Sequence, residues 1–447
     1  MSPSPTPAPV HHNAEQASLP SPESATGGHA PAPAITPAVR LTRLPPYLFG
    51  KLNNLRTQMR QAGRDIIDLG MGNPNDPTPQ PVVEQLNKAA LDPKNHRYGV
   101  AGGIVQLRQE VARKYLRHRG VKLDPAAQVL ACLGSKEAFS HFCLALLGPG
   151  DTAIVGDPAY PIHIYGPTLA GAAVLRVPLG NDLAFLERVE RMIEQMLPRP
   201  KLLVLNYPHN PTALTVEDRR FFDRAVQLAH RYGVIVVNDY AYGDVCFDGY
   251  QAPSILEADG AFDVAVEFST MSKTYNMAGW RLGFCCGNAQ MVKMLATVKG
   301  YYDYGIFAPI QVAGIVAMRH GDAGIREQCA IYTRRRDLIC ELCRKIGWQA
   351  ERPRASMFVW TRVPEQHAPQ GTIDLALRLL EHAEVVLAPG AGFGENGELH
   401  MRIAMVENEK RLRQAFRQIE AYLKRGRSTN TAGKRAVPIT GAQGPTP

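Results

Sequence analysis

The chain has 447 residues, of which 45% are hydrophobic and 20% charged, and its formal net charge is +9. These proportions are typical of a globular protein, and the length favours one large domain with a smaller one over a single small core. No apolar run approaches the roughly 18 residues of a membrane span, and more than half of the excess positive charge lies in one C-terminal stretch, so we expect no membrane and no nucleic-acid partner.

The two ends of the chain differ in composition from the rest. The first 46 residues contain 11 of the 35 prolines, which predicts a disordered Pro/Ala-rich arm over residues 1–39. From Lys424 onward there are five basic residues and no acidic one, which predicts a disordered basic tail over residues 424–447. The start lacks signal-peptide features, and the eight cysteines lack framework spacing. We therefore expect a cytoplasmic location and no metal site.

From about Asp68 to about Met318, short apolar runs alternate with amphipathic stretches. This alternation predicts an α/β domain over residues 73–320, with a mostly parallel sheet covered by helices. The predicted strands are Ala153–Gly156, Leu202–Asn206, Val234–Asn238, Val264–Phe268 and Leu282–Cys286, and the predicted helices are Ile104–Arg117, Ser135–Leu147 and Val216–Arg231.

The pattern changes at about Asp322, where helices and short strands mix. This mixture predicts a smaller α+β domain over residues 321–423, to which an N-terminal segment, residues 40–72, contributes. The predicted helices are Ala323–Ile346, Ile373–Glu381 and Glu409–Lys424, and the predicted strands lie near Met357–Thr361, Val385–Ala388 and His400–Ala404.

Polar or aromatic residues lie at four predicted strand ends, which is the edge of a parallel sheet where ligands bind. Ser135 and Lys136 open a helix whose N-terminus can hold a phosphate. Asn210 lies in a turn, Asp239 follows an apolar strand, and Tyr160 follows another. Taken singly, each has an ordinary interpretation as a helix cap, a turn residue, a capping carboxylate or a packed ring.

Lys273 is the most informative residue because of its neighbours. Thr270 and Ser272 place hydroxyls beside it, and Arg281 follows after a glycine-containing turn. A lysine amine acts as a covalent catalyst mainly by forming an imine with a carbonyl cofactor, and the neighbours are those that a phosphate would require. A bare Ser-x-x-Lys pattern is more often an ordinary lysine at a strand end, so the interpretation depends on the rest of the chain.

Together these motifs resemble those of the class I/II (fold type I) aminotransferases: Asn-Pro-Thr, Asp-x-x-Tyr, Ser-Lys with a following Gly-x-Arg, and a late arginine. The resemblance covers about Arg40 to Leu423. It implies pyridoxal 5'-phosphate (PLP) as cofactor and a large domain with a seven-stranded, mostly parallel sheet. Lys273 is the implied catalytic Schiff-base lysine, and the other implied cofactor-binding residues are Ser135, Lys136, Tyr160, Asn210, Asp239, Tyr242, Ser272 and Arg281.

The resemblance also implies particular roles. Asp239 would be the partner of the pyridine nitrogen, and Asn210 and Tyr242 would donate to the 3-oxygen of the cofactor. Arg402 would clamp the substrate α-carboxylate, with Asn210 and Gly72 also on the substrate side. Tyr98 would reach the cofactor phosphate of a neighbouring subunit, which implies a homodimer with composite active sites.

Three runs, beginning at Met71, Tyr160 and Ser272, are similar to the bacterial glutamate–pyruvate (alanine) aminotransferases. This similarity implies a ping-pong exchange of L-alanine and 2-oxoglutarate with pyruvate and L-glutamate. Two departures, Ala213 and Asn238, touch no implied catalytic role.

Other functions stay open at this stage. The enzyme could use another amino donor, such as aspartate, LL-diaminopimelate, methionine or an aromatic amino acid, or it could be a PLP-dependent lyase on the same fold. A transcription regulator with an aminotransferase-like domain would need a basic winged-helix segment, which the Pro-rich arm cannot form. The tyrosines of the run Lys299–Tyr304 suit small or neutral substrate side chains.

Overall fold

A computed structural model describes residues 35–45 and 48–432. Contacts between Cα atoms divide the chain into two units, Met1–Ala38 and Val39–Pro447, and the fold described below belongs to the second. Most of the predicted arm, residues 1–34, and most of the predicted tail, residues 433–447, lie outside the described residues.

The described chain begins with α1 (Val39–Thr42), α2 (Leu48–Gln61) and a short strand, β1 (Ile67–Asp68). A seven-stranded sheet follows. Its strands are β2 (Val129–Cys132), β3 (Thr152–Asp157), β4 (Ala173–Pro178), β5 (Leu202–Leu205), β6 (Ile235–Asp239), β7 (Ala265–Thr270) and β8 (Gly283–Gly287). The intervening helices are α3 (Gln80–Ala90), α4 (Val105–Arg119), α5 (Ser135–Leu146), α6 (Pro161–Leu169), α7 (Leu183–Gln195), α8 (Arg220–Tyr232), α9 (Ala261–Val264), α10 (Met271–Thr274), α11 (Ala289–Tyr302) and α12 (Ala308–His320).

The strand order within this sheet is β2-β8-β7-β6-β5-β3-β4. Only β8 among these strands runs antiparallel to its neighbours, β2 and β7, so the predicted mostly parallel sheet is confirmed. The adjacent strands β7, β6, β5 and β3 all end at the same edge. This order brings the residues after these four strands close together in space.

Helices cover both faces of the sheet because its strands are apolar on both sides. Within β5, Leu203 and Leu205 join a core with α4, α7, α8 and α12, whereas Leu202 and Val204 join a core with α5, α6 and α11. Successive strand residues point to opposite faces, so one short apolar run supplies both layers.

A second sheet, β12-β13-β10-β9, is antiparallel and packs in a separate core with the C-terminal helices. The elements are α13 (Asp322–Lys345), β9 (Gln349–Ala350), β10 (Phe358–Arg362), α14 (Thr372–Ala383), β11 (Val385–Val386), β12 (Ala388–Pro389), β13 (His400–Ala404) and α15 (Glu409–Ala432). Strand β1 pairs with β11, so the N-terminal segment packs with this smaller α+β layer.

Several predicted boundaries were wrong for local reasons. The predicted strand Val385–Ala388 is two strands, because β11 pairs with β1 whereas β12 pairs with β13. Helix α8 begins at Arg220 rather than Val216, because the Asp218 carboxylate accepts a hydrogen bond from the Arg220 N–H (2.8 Å). Helix α15 continues to Ala432, past the predicted end at Lys424, because no proline interrupts it and Lys424 pairs with Glu420 one turn earlier (2.6 Å).

Among the residues that the structure describes, no helix is both long enough and apolar enough to cross a membrane.

Candidate active site

A cavity of about 380 Å³ lies at the carboxyl edge of the seven-stranded sheet, where this sheet meets the smaller α+β layer. Eleven of the twelve predicted site residues line it: Gly72, Ser135, Lys136, Tyr160, Asn210, Asp239, Tyr242, Ser272, Lys273, Arg281 and Arg402. The exception is Tyr98, which is 92% exposed and packs against the ring of Tyr304 at 5.6 Å between centroids.

Lys273 lies on α10, the single helical turn that follows β7. The turn forms because Thr270, at its N-cap, accepts a hydrogen bond from the Ser272 N–H (3.2 Å) and donates its own hydroxyl to Ser272 Oγ (2.9 Å). Lys273 Nζ donates to the carbonyl of Gly72. Burial, followed by the positive charges of Arg402 and Arg281, lowers the pKa of Lys273 to about 8. The neutral, nucleophilic amine is therefore much more populated at pH 7 than in an ordinary lysine.

The N-terminus of α5 and the guanidinium of Arg281 lie side by side at one end of the cavity. Gly134 precedes the helix with φ of 85°, and a Cβ there would lie 2.4 Å from Arg281 Nη2. Two backbone carbonyls fix the orientation of the Arg281 guanidinium. Its Nη1 donates to the Ala278 carbonyl (3.0 Å) and its Nη2 to the Leu133 carbonyl (3.4 Å). Because the first N–H groups of a helix point beyond its end, this arrangement is suited to an anion such as phosphate.

Asp239 ends β6 with a buried carboxylate. Its Oδ2 lies 3.0 Å from Nε2 of His163, which is itself buried on α6, and its Oδ1 accepts from the Ala241 N–H (3.3 Å). None of the sequence motifs indicates that His163 contacts the Asp239 carboxylate. A local signal exists, because His163 lies in the first turn of α6, and its ring packs 5.6 Å from that of Tyr160, the N-cap residue of the same helix.

Asn206 is a second residue that the sequence reasoning passed over. Its side-chain amide donates to the Asp239 carbonyl (2.6 Å), and its side-chain oxygen accepts from the Asn210 N–H (2.9 Å). One buried carboxamide thus joins the end of β5 to the end of β6. This bridge fixes where the Asn210 and Asp239 side chains enter the cavity.

Asn238 and Glu267 form a deeper layer on the other face of the same strands. The Glu267 carboxylate accepts from Tyr115 Oη (2.9 Å), Ser254 Oγ (2.8 Å) and Asn238 Nδ2 (3.1 Å). Complete burial raises the pKa of Glu267 to about 7. This network braces β6 against β7 directly behind Asp239.

Arg402 comes from β13 of the second layer and reaches across to the large sheet. Its Nη1 donates to Asn210 Oδ1 (2.7 Å) and its Nη2 to the Gly70 carbonyl (2.7 Å). The guanidinium carbon lies 4.1 Å from the ring centroid of Phe358 and 4.7 Å from that of Phe393. Two aromatic faces and two hydrogen bonds therefore orient the planar fork that the sequence predicts for a carboxylate.

Aromatic and small residues complete the cavity wall. The Tyr242 ring packs edge-on against Phe358 at 5.6 Å, and burial raises the pKa of the Tyr242 hydroxyl well above its ordinary value. The Tyr160 ring has Lys136 Nζ 6.0 Å from its centroid. Gly72 is required by space, because a Cβ there would lie 2.5 Å from the Phe358 ring.

A separate cluster of possible metal ligands, Glu137, His141 and Asp303, lies beside the first turns of α5. The buried ammonium of Lys299 already lies 2.7 Å from Asp303 and 3.6 Å from Glu137. The protein thus supplies its own cation there, and the cluster is an ion-pair network.

Residues 64–419 match the family model of "Aminotransferase class I and II". The chain belongs to the class I and II aminotransferases. It is 46% identical over 385 residues to the glutamate-pyruvate aminotransferase AlaC of Escherichia coli (strain K12), covering 86% of this chain and 93% of that protein. It is also 40% identical over 386 residues to the LL-diaminopimelate aminotransferase of Moorella thermoacetica, covering 86% and 98% of the two chains.

The solved structure of apo-BacF from Bacillus subtilis has a similar fold, with a TM-score of 0.82 and 34% sequence identity over 87% of this chain and 98% of that chain. This aminotransferase therefore has the expected PLP-dependent fold, and its cofactor is PLP. The cavity fits that cofactor. Gly134 leaves room for a group against Arg281, and the amine of Lys273 lies in the same cavity as the Asp239 carboxylate.

Proposed function

We propose that this aminotransferase exchanges amino groups between L-alanine and 2-oxoglutarate, forming pyruvate and L-glutamate in two half-reactions at one site. The similarity to the glutamate-pyruvate aminotransferase, at 46% identity over most of both chains, carries this proposal. A ping-pong enzyme must accept both partners in one cavity, so the same Arg402 fork serves the α-carboxylate of each.

The cofactor, when bound, supplies a protonated pyridine ring that withdraws electrons from the substrate Cα. Asp239 would keep the pyridine nitrogen protonated, and His163 fixes the orientation of that carboxylate. Asn210 and Tyr242 would donate to the 3-oxygen, and the Tyr160 ring would pack on the pyridine face. Ser135, Lys136, Ser272 and Arg281, which all line the cavity, would hold the phosphate.

Lys273 has two tasks in this scheme. Its amine would hold the cofactor covalently, and its free Nζ would accept the proton from the substrate Cα and return it on the other side of the exchange. A pKa of about 8 suits both tasks, because the amine is basic enough to accept a proton and neutral often enough to attack. Gly72, whose carbonyl receives Nζ, orients the amine before the cofactor is attached.

Arg402 binds the α-carboxylate by exchanging part of its present hydrogen bonding for a bidentate pair. Its Nη1 now donates to Asn210 Oδ1, so a substrate carboxylate at Arg402 would release that amide, which would then be free to serve the 3-oxygen of the cofactor. Substrate binding and cofactor contacts are thereby coupled through one residue pair.

The enzyme is a homodimer in this proposal, with Tyr98 serving the site of the neighbouring subunit. The support is a patch of exposed aromatic residues that includes Tyr98, Tyr301, Tyr302, Tyr304 and Phe307. Light scattering tests the dimer. Mixing Tyr98→Phe with Lys273→Ala tests the shared site, because hybrid dimers should regain activity only if one subunit completes the other.

An LL-diaminopimelate aminotransferase is the second candidate, since several relatives carry that name at 39–41% identity. A screen of amino donors against pyruvate and 2-oxoglutarate separates the two functions. L-Alanine with 2-oxoglutarate should be the best pair. Inactive alanine beside rapid LL-diaminopimelate would overturn the substrate assignment and leave the transaminase intact.

The cytoplasm is the proposed location. Its support is that all eight cysteines lie within the described residues and none forms a disulfide, as suits a reducing compartment. Cell fractionation tests this directly.

A further inference from the structure

One cationic side chain in the cavity has no part in the proposed chemistry. Among the described residues that line the cavity, five are cationic, and Lys136, Lys273, Arg281 and Arg402 are accounted for above. The fifth is Arg56, on α2 of the N-terminal segment, and its Nη1 donates to Asp68 Oδ2 in the same wall. Both side chains are largely buried, with 18% and 13% exposure.

A short backbone segment, residues 68–72, orders the cationic groups along the cavity wall. At one end the Gly72 carbonyl receives Lys273 Nζ. Two residues earlier the Gly70 carbonyl receives Arg402 Nη2 (2.7 Å), and two residues before that Asp68 receives Arg56. Along the wall the order is therefore the Lys273 amine, the Arg402 guanidinium and the Arg56 guanidinium.

The two guanidinium anchors, Gly70 and Asp68, are two residues apart and line the same cavity as Arg56 and Arg402. The Asp68 Oδ1 atom also accepts from the Gly70 N–H (3.0 Å), which holds the two anchors together. The two carboxyl carbons of an extended five-carbon dicarboxylate are about 5 Å apart, from four C–C bonds. Such a ligand has one carboxylate for Arg402 and a second for Arg56 in the same cavity.

We propose that Arg56 binds the distal carboxylate of a five-carbon dicarboxylic substrate, with Asp68 as its resident counter-ion. The inference rests on the proposed function, because glutamate and 2-oxoglutarate are such dicarboxylates. It assigns a subsite that the class-wide motifs do not contain.

Asp68 explains how the same site accepts alanine. A guanidinium left alone in a largely buried wall would be costly whenever the substrate has no second carboxylate. With Asp68 present, Arg56 keeps a partner in the alanine half-reaction. Its five N–H donors still allow a second carboxylate to bind beside Asp68 in the glutamate half-reaction.

The test compares two ligands that lack an amino group, glutarate and butyrate, on the PLP-loaded enzyme. Their dissociation constants are measured from the change in cofactor absorbance. The unmodified enzyme should bind glutarate more tightly than butyrate, and Arg56→Gln should reduce this preference roughly ten- to a hundredfold. Arg60→Gln is the matched control, since Arg60 lies one turn further along α2, exposed and outside the cavity lining, and it should keep the preference.

Asp68→Asn is a second variant that retains Arg56 and removes only its counter-ion, so glutarate preference should be kept or increased. Two results would overturn the subsite. One is an unchanged ratio of the glutarate and butyrate dissociation constants in Arg56→Gln, and the other is a lost glutarate preference in Asp68→Asn. The amino-donor screen is independent of this measurement. If the enzyme is inactive with L-alanine but shows an Arg56-dependent preference for glutarate, only the assignment of alanine as amino donor is overturned.

Discussion

Replacing Gly134 with alanine tests whether the end of α5 and Arg281 form the phosphate site. The new Cβ would lie 2.4 Å from Arg281 Nη2 and 3.0 Å from its Cζ, so the guanidinium must move away. The backbone at Gly134 (φ 85°, ψ 158°) also disfavours any side chain, at a cost of about 1–3 kcal/mol in stability. Separately, losing one charge-assisted hydrogen bond to the phosphate should weaken PLP binding by about 1.5–3 kcal/mol, which is roughly ten- to a hundredfold in affinity.

Gly371 offers a matched control for the backbone strain. It has nearly the same conformation (φ 88°, ψ 171°) and the same N-cap position, on α14, but a Cβ there meets only Glu398 at an ordinary 3.5 Å. We expect Gly371→Ala to lose similar stability in urea unfolding while keeping its PLP affinity within about threefold. Both variants are stripped of cofactor and titrated with PLP by absorbance. Equal PLP affinities in the two variants would refute the assigned phosphate site.

Four further substitutions test individual roles. Lys273→Ala should abolish the long-wavelength absorbance of the lysine-bound cofactor, and an unchanged spectrum would place the cofactor on another lysine. Asp239→Asn should leave PLP bound but strongly slow single-turnover proton removal, and rates within a few-fold of the unmodified enzyme would exclude its role. Arg402→Lys should lower kcat/KM roughly ten- to a hundredfold, equally for alanine and glutamate, with the cofactor spectrum intact; a loss confined to one donor contradicts the shared clamp. Glu267 titrates at about pH 7 in the folded chain instead of its ordinary 4.5, so the folded state binds the extra proton and stability falls as pH rises between these values. Glu267→Gln should flatten that fall in urea unfolding at pH 5 and pH 8, whereas parallel curves would show that Glu267 does not titrate there.

The main site residues were predictable because their motifs, taken together, resemble those of one family. Lys273, Asp239, Asn210 and Tyr160 lie at or within five residues of the ends of β7, β6, β5 and β3, and a mostly parallel sheet places such positions along one edge. The alternation of strands and helices predicted this edge, and the four residues line one cavity there.

The supporting residues were harder to find because their partners are distant in sequence. His163 lies 76 residues from Asp239, and Asn206 lies 33 residues from the same aspartate, so no short motif contains either pair. Arg56 also looks like an ordinary surface charge on an amphipathic helix until α2 is placed against the cavity. Tyr98 differs from these residues, because a single folded chain does not test its proposed role, which depends on a second copy of the chain.

The tyrosines of Lys299–Tyr304 illustrate a further difficulty of sequence reasoning. They suit a pocket for small or neutral side chains, yet Tyr301 and Tyr302 are exposed and do not line the cavity. Helix α11 carries them to the surface because its buried face is formed by other residues, such as Leu295 and Lys299. A helical pattern alone does not show which turn reaches a site formed elsewhere.

The half-reaction with L-alanine alone tests the central claim most directly. PLP-loaded enzyme is mixed with L-alanine without any 2-oxo acid, and pyruvate, ammonia and the cofactor spectrum are followed together. A transaminase for alanine should release about one pyruvate per active site, lose its long-wavelength absorbance and form no ammonia, because the amino group stays on the enzyme. No lyase can form pyruvate and ammonia from alanine, because alanine has no β leaving group. An unchanged spectrum and no pyruvate with alanine, in a full donor screen in which other amino acids change the spectrum, would contradict the proposed substrate.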